Sequence, residues 1–208
     1  NSADYSCAIS GNACTAVITS AGLKALSEAS HSFSVAISDE AGNAATAHTS
    51  TSFTVDRTVP VISTVVFASG DYVNDAEDES AINLVITMSD TSANGQTATA
   101  TLNSADYSCA ISTTACTASI TSAGLKALSE ASHSFSVAVS DAAGNAATAH
   151  TGTSFTYDKT DPTVVITSTE VSTGGSLNEA VTLTFTFNEE MTGIADGDFT
   201  VGDERCTL

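Results

Sequence analysis

An all-β fold of β-sandwiches in tandem follows from three features of this 208-residue sequence. The chain repeats itself at a spacing of 102 residues. Its apolar residues alternate with a period of two, the period of a half-buried strand and not of a helix. Its composition is rich in Ser, Thr, Ala and Val, with no Trp and two Pro.

The repeat sets the organisation. Residues 1–58 align without a gap to 103–160, and 50 of the 58 positions are identical. The changes include Gly11/Thr113, Val17/Ser119, Glu40/Ala142 and Val55/Tyr157. Identity that high implies recent tandem duplication. A unit of about 100 residues is long enough to carry its own core. The unit boundary falls at the two prolines, where SFTVDRTVP and SFTYDKTDP each run from an alternating strand through an Asp into a Thr-x-Pro linker. Proline fixes φ and holds its predecessor extended, so a stiff linker is expected. One complete unit therefore spans 59–158. Residues 1–58 read as the back half of a preceding unit, and 159–208 as the diverged front half of a following one. The chain is expected to be a window onto a longer repetitive protein.

Within the complete unit the elements follow in order. Val61–Phe67 is the first strand. An acidic loop, Ser69–Ser80, leads to a second strand at Ala81–Met88. Gln96–Leu102 is the third. Tyr107–Ile111 and Cys116–Ile120 are expected to form a hairpin. LKALSE, residues 125–130, is the one stretch with helical character. His133–Ser140 and Thr148–Tyr157 form the last pair, joined by DAAGNAA. Seven short strands with turns at regular spacing in about 100 residues predict an immunoglobulin-like β-sandwich, repeated as a linear array.

Charge narrows the function classes. Twenty-four Asp and Glu stand against five Lys and Arg, a net charge of −19. Nucleic-acid binding needs clustered cations, and Lys24, Arg57, Lys126, Lys159 and Arg205 are scattered. An anionic membrane surface is disfavoured for the same reason. No apolar run reaches the 18 residues of a membrane span. The chain's first residues lack a signal-peptide pattern. Mean hydropathy of +0.14 is too high for a disordered acidic chain, so the acids sit on a folded scaffold.

Cys7/Cys14 and Cys109/Cys116 share the pattern C-A-I-S-x-x-A-C. Across a hairpin this spacing can bring each pair within reach of a disulfide. A reduced buried pair is the alternative, and C-x6-C with no second pair nearby suits zinc poorly. A disulfide closing so short a loop contributes roughly 2–3 kcal/mol on the chain-entropy model and implies an oxidising compartment. Cys206 aligns with Cys7 and Cys109, with its expected partner beyond Leu208.

SVAVSDAAGNAA followed by SFTYDKTDP resembles the bacterial immunoglobulin-like tandem repeats of giant secreted surface and biofilm adhesins. There a strand ends in D-x-A-G-N and a later strand in V-D-x-T-x-P. GDYVNDAEDES is similar to the N-x-A-E loop near the front of many such repeats. LTFTFNEEMTGIADGDFTV resembles another variant of them. The resemblance covers the whole chain. It implies an extracellular, cell-surface setting on a bacterium and calcium at the domain junctions that stiffens the array.

Strand alternation gives a separate reason to place acids at junctions, because loops alternate between the two poles of a sandwich. Asp71, Asn74, Asp75, Glu77 and Asp78 are expected at the pole where the last strand ends in Asp158. Asp161 and, from the next unit, Asn188, Glu189 and Glu190 are expected beside them. At the preceding junction Asp56 is expected to meet Asp90, Asp141 and Asn145, while Asp39 and Asn43 would serve the one before. Unpaired carboxylates that close repel each other. A Ca²⁺ ion taking six to eight oxygens would resolve the conflict. D-x-x-G-N is also ordinary turn chemistry, so for Asp141 turn and ligand stay open together.

The remaining residues read more simply. His31, His133, His48 and His150 are expected at surface or edge positions in strands, and Phe33, Phe53, Phe135 and Phe155 in the core. Lys24 and Lys126 are too loop-like for an isopeptide bond between strands. No Ser-His-Asp order, phosphate loop or H-E-x-x-H occurs, so no enzyme is expected. The sequence therefore predicts an extender segment whose partners are neighbouring repeats and, at most, a host or biofilm surface ligand. Two alternatives stand beside it. One is a calcium-dependent glycan-binding module, for which Tyr72 is the sole loop aromatic. The other is a filament subunit whose half-units are completed by strand exchange between chains.

Overall fold

The computed structural model describes residues 4–46, 48–170, 178, 180–193, 195, 198–201 and 204–205. Cys206 lies outside them. The chain forms two compact units, Asn1–Tyr157 and Asp158–Leu208. The first holds helix α1 (Ser20–Lys24), β1 (Ala29–Val35), β2 (His48–Val55), β3 (Ile62–Phe67), β4 (Tyr72–Val73) and a 3-10 turn at Glu77–Glu79. It continues with β5 (Ile82–Met88), β6 (Thr97–Leu102), β7 (Ala105–Ala110), β8 (Ala115–Ile120), helix α2 (Ser122–Lys126), β9 (Ala131–Ala138) and β10 (His150–Tyr157). The second unit holds β11 (Val164–Thr167), β12 (Thr184–Phe187), β13 (Thr200–Val201) and β14 (Glu204–Arg205).

Residues 59–157, expected to be one complete repeat, form an all-β sandwich. One sheet has the order β3-β5-β8, the other β4-β10-β9-β6-β7. Alternation along each strand builds the core between them. Leu84, Ile86 and Met88 of β5 point inward while Val85 faces out. Ala98, Ala100 and Leu102 do the same on β6. Full burial of side chains such as Leu84 and Ile86 stabilises the fold by roughly 1.5–3 kcal/mol each. Phe67 of one sheet sits against Phe135 and Phe155 of the other, with ring centroids 5.1 and 4.7 Å away. Phe135 and Phe155 are thus in the core, as expected.

The hairpin expected from the cysteine spacing does not form as such. β7 pairs with β6, and β8 pairs with β5 in the opposite sheet. Asn103 (φ 47°) and Ser104 (φ 65°) make a two-residue turn with both central residues left-handed, which returns β7 onto β6. The chain then crosses between sheets over residues 111–114, held by a bridge from Ser112 to Ala115, by backbone bonds of Ile111 with Gln96 and Gly95, and by the Thr114 carbonyl, which accepts from the Met88 amide at 2.7 Å. The Cys109–Cys116 disulfide forms at this corner, with Cα atoms 5.7 Å apart, and so ties the two sheets together. Cys7–Cys14 forms with the same Cα separation of 5.7 Å.

Two further differences are local. The acidic loop contains an eighth strand, β4, parallel to the end of β10, because Val73 has an apolar side chain to bury. The helical stretch is Ser122–Lys126 and not 125–130, because Thr121 caps it: its Oγ1 accepts from the Gly124 amide at 3.2 Å. Leu125 and Leu128 then enter the core.

Residues 19–46 and 48–58 repeat the local structure of 121–148 and 150–160, whereas residues 4–18 form no strand where 106–120 carry β7 and β8. Thr19 caps α1 through the Gly22 amide at 3.1 Å. β1 pairs with β2 in the register Ala29↔Val55, as β9 pairs with β10 in the register Ala131↔Tyr157. Phe33 and Phe53 depart from the core position expected of them. Phe33 is exposed and Phe53 half-buried, and among the described residues no strand corresponding to β3 covers them.

Candidate functional site

The connection between β9 and β10 begins with a turn built on Asp141. The Asp141 and Asn145 backbones pair (N to O, 3.0 Å), and Gly144 adopts φ 89°, a left-handed conformation that suits glycine. Asp141 Oδ1 accepts from the amides of Ala143 (2.9 Å) and Asn145 (2.8 Å). Its Oδ2 accepts from Asn145 Nδ2 at 2.9 Å. These bonds, the Asn145 side chain first, hold the Asp141 carboxyl below the usual carboxylate range. Asp39 and Asn43 repeat the arrangement at 2.7 and 2.8 Å, and Asn43 lowers the Asp39 carboxyl in the same way.

Asn145 has a second amide hydrogen, and it reaches the junction. Nδ2 donates to the backbone carbonyl of Asp56 at 3.1 Å. The linker is gripped from its other side as well. Glu28 accepts from the Arg57 amide (Oε1, 2.9 Å) and from Thr58 Oγ1 (Oε2, 3.0 Å). The Arg57 guanidinium donates to the carbonyls of Leu26 (3.1 Å) and Leu23 (2.8 Å), at the C-terminal end of α1, where the helix dipole favours a cation. Asp56 Oδ1 accepts from the Thr58 amide at 3.0 Å, a turn that Asp158 and Thr160 repeat at 3.1 Å. Pro60 is fully buried.

Asp90 stays in its own turn. Oδ1 accepts from the Ser92 amide at 2.8 Å, and bonding with Ser92, then Ser89, lowers its carboxyl. Of the four residues expected together here, the structure joins Asp56, Asn145 and Asp141 in one hydrogen-bonded chain, and Asp90 bonds locally.

The acidic loop lies beside the end of β10, where strand alternation puts it. The Asp71 carbonyl accepts from the Thr156 amide at 2.8 Å. Asn74 and Glu77 cap each other. Asn74 Oδ1 accepts from the amides of Ala76 (3.0 Å) and Glu77 (2.9 Å), and Glu77 Oε2 accepts from the Asn74 amide (3.1 Å). This is the reciprocal geometry of a capping box. Asp78, to which the sequence assigned no separate role, is buried. The Tyr157 hydroxyl donates to its Oδ2. Lys126 Nζ stands 3.7 Å from its Oδ1 and 2.7 Å from Glu79 Oε1. Burial first, and then Asp78, push the Tyr157 phenol up to about 12. Glu79 raises the Lys126 ammonium.

In the second unit, Asn188 Oδ1 accepts from the Thr163 amide at 2.6 Å and the Asn188 amide donates back to the Thr163 carbonyl at 3.2 Å. Asp161 is exposed, and Glu189 is half-buried. Three of the four histidines have local partners. His31 and His133 donate from Nε2 to the carbonyls of Ser27 (2.9 Å) and Ser129 (2.8 Å), and His150 Nε2 lies 3.1 Å from Thr153 Oγ1.

The donor types suit a hard cation: carboxylates, an Asn side chain and a backbone carbonyl are calcium ligands. Their arrangement is closed by hydrogen bonds. Among the described residues no three His, Cys, Asp or Glu side chains gather around one point. The fit is one of chemistry, at a junction that already holds together through its own bonds.

The profile of the bacterial Ig-like domain (group 3) family matches residues 19–115 and 119–195. The chain belongs to that family. The matched stretches are out of phase with the 59–158 unit, since they divide within β8 and not at the prolines. Solved structures from bacterial ice-binding proteins are similar. A Ca²⁺-stabilised adhesin that helps an Antarctic bacterium reach out and bind ice is 27% identical over 67% of this chain and 34% of its own length, with a TM-score of 0.37. A 1.5-MDa bacterial ice-binding adhesin, from work on host cell surface retention, is 24% identical over 74% and 49%, with a TM-score of 0.42. A bacterial immunoglobulin-like domain of the M. primoryensis ice-binding adhesin is 23% identical over 48% and 95%, with a TM-score of 0.34. The chain thus spans about a third of the first of these and half of the second. Curated protein sequences include no match.

Proposed function

We propose that this chain is an extender segment of a long extracellular adhesin or filament on a bacterial surface, with 59–158 as its repeating unit and neighbouring repeats as its partners. The observation that carries this reading is the Asp56–Pro60 linker. Glu28 and Arg57 fix it to the preceding half-repeat, and Asn145 fixes it to the repeat that follows. A linker held from both sides transmits orientation from one sandwich to the next, which is what an extender needs. The near-identity of the copies suits a repeated mechanical task. Two disulfides suit an oxidising exterior.

Calcium at the junctions is the finer part of the proposal. Asp56, Asp90, Asp141 and Asn145 would hold it at one junction. Asp71, Asn74, Glu77, Asp158, Asp161 and Glu189 would hold it at the next. Its contribution is charge neutralisation within a chain of net charge −19, in addition to the hydrogen bonds already present. Small-angle scattering of the chain in millimolar Ca²⁺ and then in EGTA tests it. A longer, stiffer particle in calcium is expected. An unchanged profile would overturn the calcium part and leave the linker bonds as the source of stiffness.

A further inference from the structure

The segment that leads into the 59–158 unit and the strand that leads out of it are bonded to each other. β3 and β4 carry the incoming chain, and β10 carries the outgoing one. Thr153 Oγ1 donates to the Val65 carbonyl at 2.9 Å. Further along β10 the Thr156 amide donates to the Asp71 carbonyl at 2.8 Å. Thr156 and Tyr157 lie opposite Tyr72 and Val73 in parallel register. Beyond that ladder the Tyr157 hydroxyl donates to Asp78, which is 1% exposed. These contacts follow the same order along both segments, so the two run side by side in one direction.

Tension that enters at Pro60 and leaves at Tyr157 pulls β3–β4 backward and β10 forward along a shared axis. Bonds between parallel strands are evenly spaced, so sliding strains them together. Peeling from one end would break them one at a time. β6, β7 and β8 pair with neither of the pulled segments. We propose that this seam is the tension-bearing element of the repeat, with Tyr157 on Asp78 as its bolt. Sliding β10 forward withdraws the hydroxyl from a buried carboxylate. Among the described residues the other oxygen of that carboxylate accepts no hydrogen bond, and it stands 3.7 Å from Lys126 Nζ. Leaving such a group without its donor is costly. The other copy has Val55 at this position and no hydroxyl to offer, so the two copies differ in the bolt. That the repeat works under tension rests on the extender reading; how the seam responds to pulling does not.

The test holds the chain by its two ends and reads the unfolding rate at constant force, which follows the unfolding barrier. The corner disulfide identifies the step of this repeat, because Cys109→Ser/Cys116→Ser lengthens that step alone, by about 20 Å. Tyr157→Phe is expected to raise the rate about 5- to 150-fold, the effect of leaving a buried acceptor unsatisfied. Thr153→Val, which removes the bond to Val65, should raise it by a smaller factor. Leu102→Ala, a core truncation in β6, is the control. Urea unfolding gives the equilibrium loss of each variant and reports that it folds. Leu102→Ala is expected to cost at least as much in urea as Tyr157→Phe, yet to change the forced rate by less than about threefold. A forced rate that Tyr157→Phe leaves unchanged, or that Leu102→Ala raises as much for the same loss in urea, overturns the inference. A chain that forms no rod in scattering but keeps this difference under force overturns the array reading and leaves the seam.

Discussion

The hydroxyl of Tyr157, the last residue of β10, donates a hydrogen bond to the buried carboxylate of Asp78, 79 residues earlier in the acidic loop. A buried carboxylate is costly without donors. Lys126 stands farther off, at 3.7 Å. Tyr157→Phe therefore leaves Asp78 under-satisfied, and a loss of about 1–3 kcal/mol is expected in urea unfolding of the repeat. The pH dependence has a definite sign. The folded phenol is raised to about 12 from 10.0, so its contribution is present below pH 10 and is lost as pH rises toward 12. Tyr157→Phe should remove that part of the alkaline decline, read as the difference between the two chains from pH 9 to 12.

Asn145→Ala should break two connections at once. The Asp141 carboxyl loses its largest lowering influence and should return toward 3.8, as read by carbon-13 titration of the carboxylate. A depressed carboxyl contributes stability above its unfolded value, and that stability is lost as pH falls through the folded one. The variant should accordingly show a weaker acid limb below pH 4. It should also release the Asp56 carbonyl, with faster amide exchange in the linker.

Period-two alternation made the strands legible in the sequence, because each strand of the sandwich has one buried face. The D-x-x-G-N turns and the disulfides were legible too, since their bonds close within eight residues. What escaped depends on distant partners. Nothing in C-A-I-S-x-x-A-C says that Cys109 and Cys116 lie in different sheets, because β6 and β5 decide it. Asn74 and Glu77 read as ligands by residue type, yet their side chains accept from each other's amides. The depth of Asp78 required Tyr157, and the one hint of it was the Val55/Tyr157 difference between copies.

The corner disulfide gives a prediction about sheet-to-sheet coupling. Cys109→Ser with Cys116→Ser should cost roughly 2–3 kcal/mol on the chain-entropy model. For a domain of this size that corresponds to a fall in Tm of roughly 10 °C or more. Calorimetry with and without a reductant should give the same shift in the unaltered chain. Retention of the full Tm in the double variant would show that β5–β8 and β6–β7 pairing holds the corner unaided.

Arg57 separates linker order from domain stability. Its guanidinium bonds the carbonyls of Leu23 and Leu26, and all three groups are outside the core. Exposed hydrogen bonds contribute little to the folded state, about 1 kcal/mol or less in sum once water replaces them. Arg57→Ala should therefore leave the unfolding of the 59–158 repeat almost unchanged. The Asp56–Pro60 linker should nevertheless be cut severalfold faster by protease and lose order in nitrogen-15 relaxation. Arg57→Lys, which copies the residue at position 159, keeps the charge but not the two-pronged grip and should fall between. Glu28→Gln should loosen the same segment, because the Arg57 amide and Thr58 hydroxyl both use its carboxylate. If calcium alone stiffens the junction, Arg57→Ala in calcium will match the unaltered chain in both measurements. If the linker bonds carry the stiffness, the variant will be looser with calcium and without it.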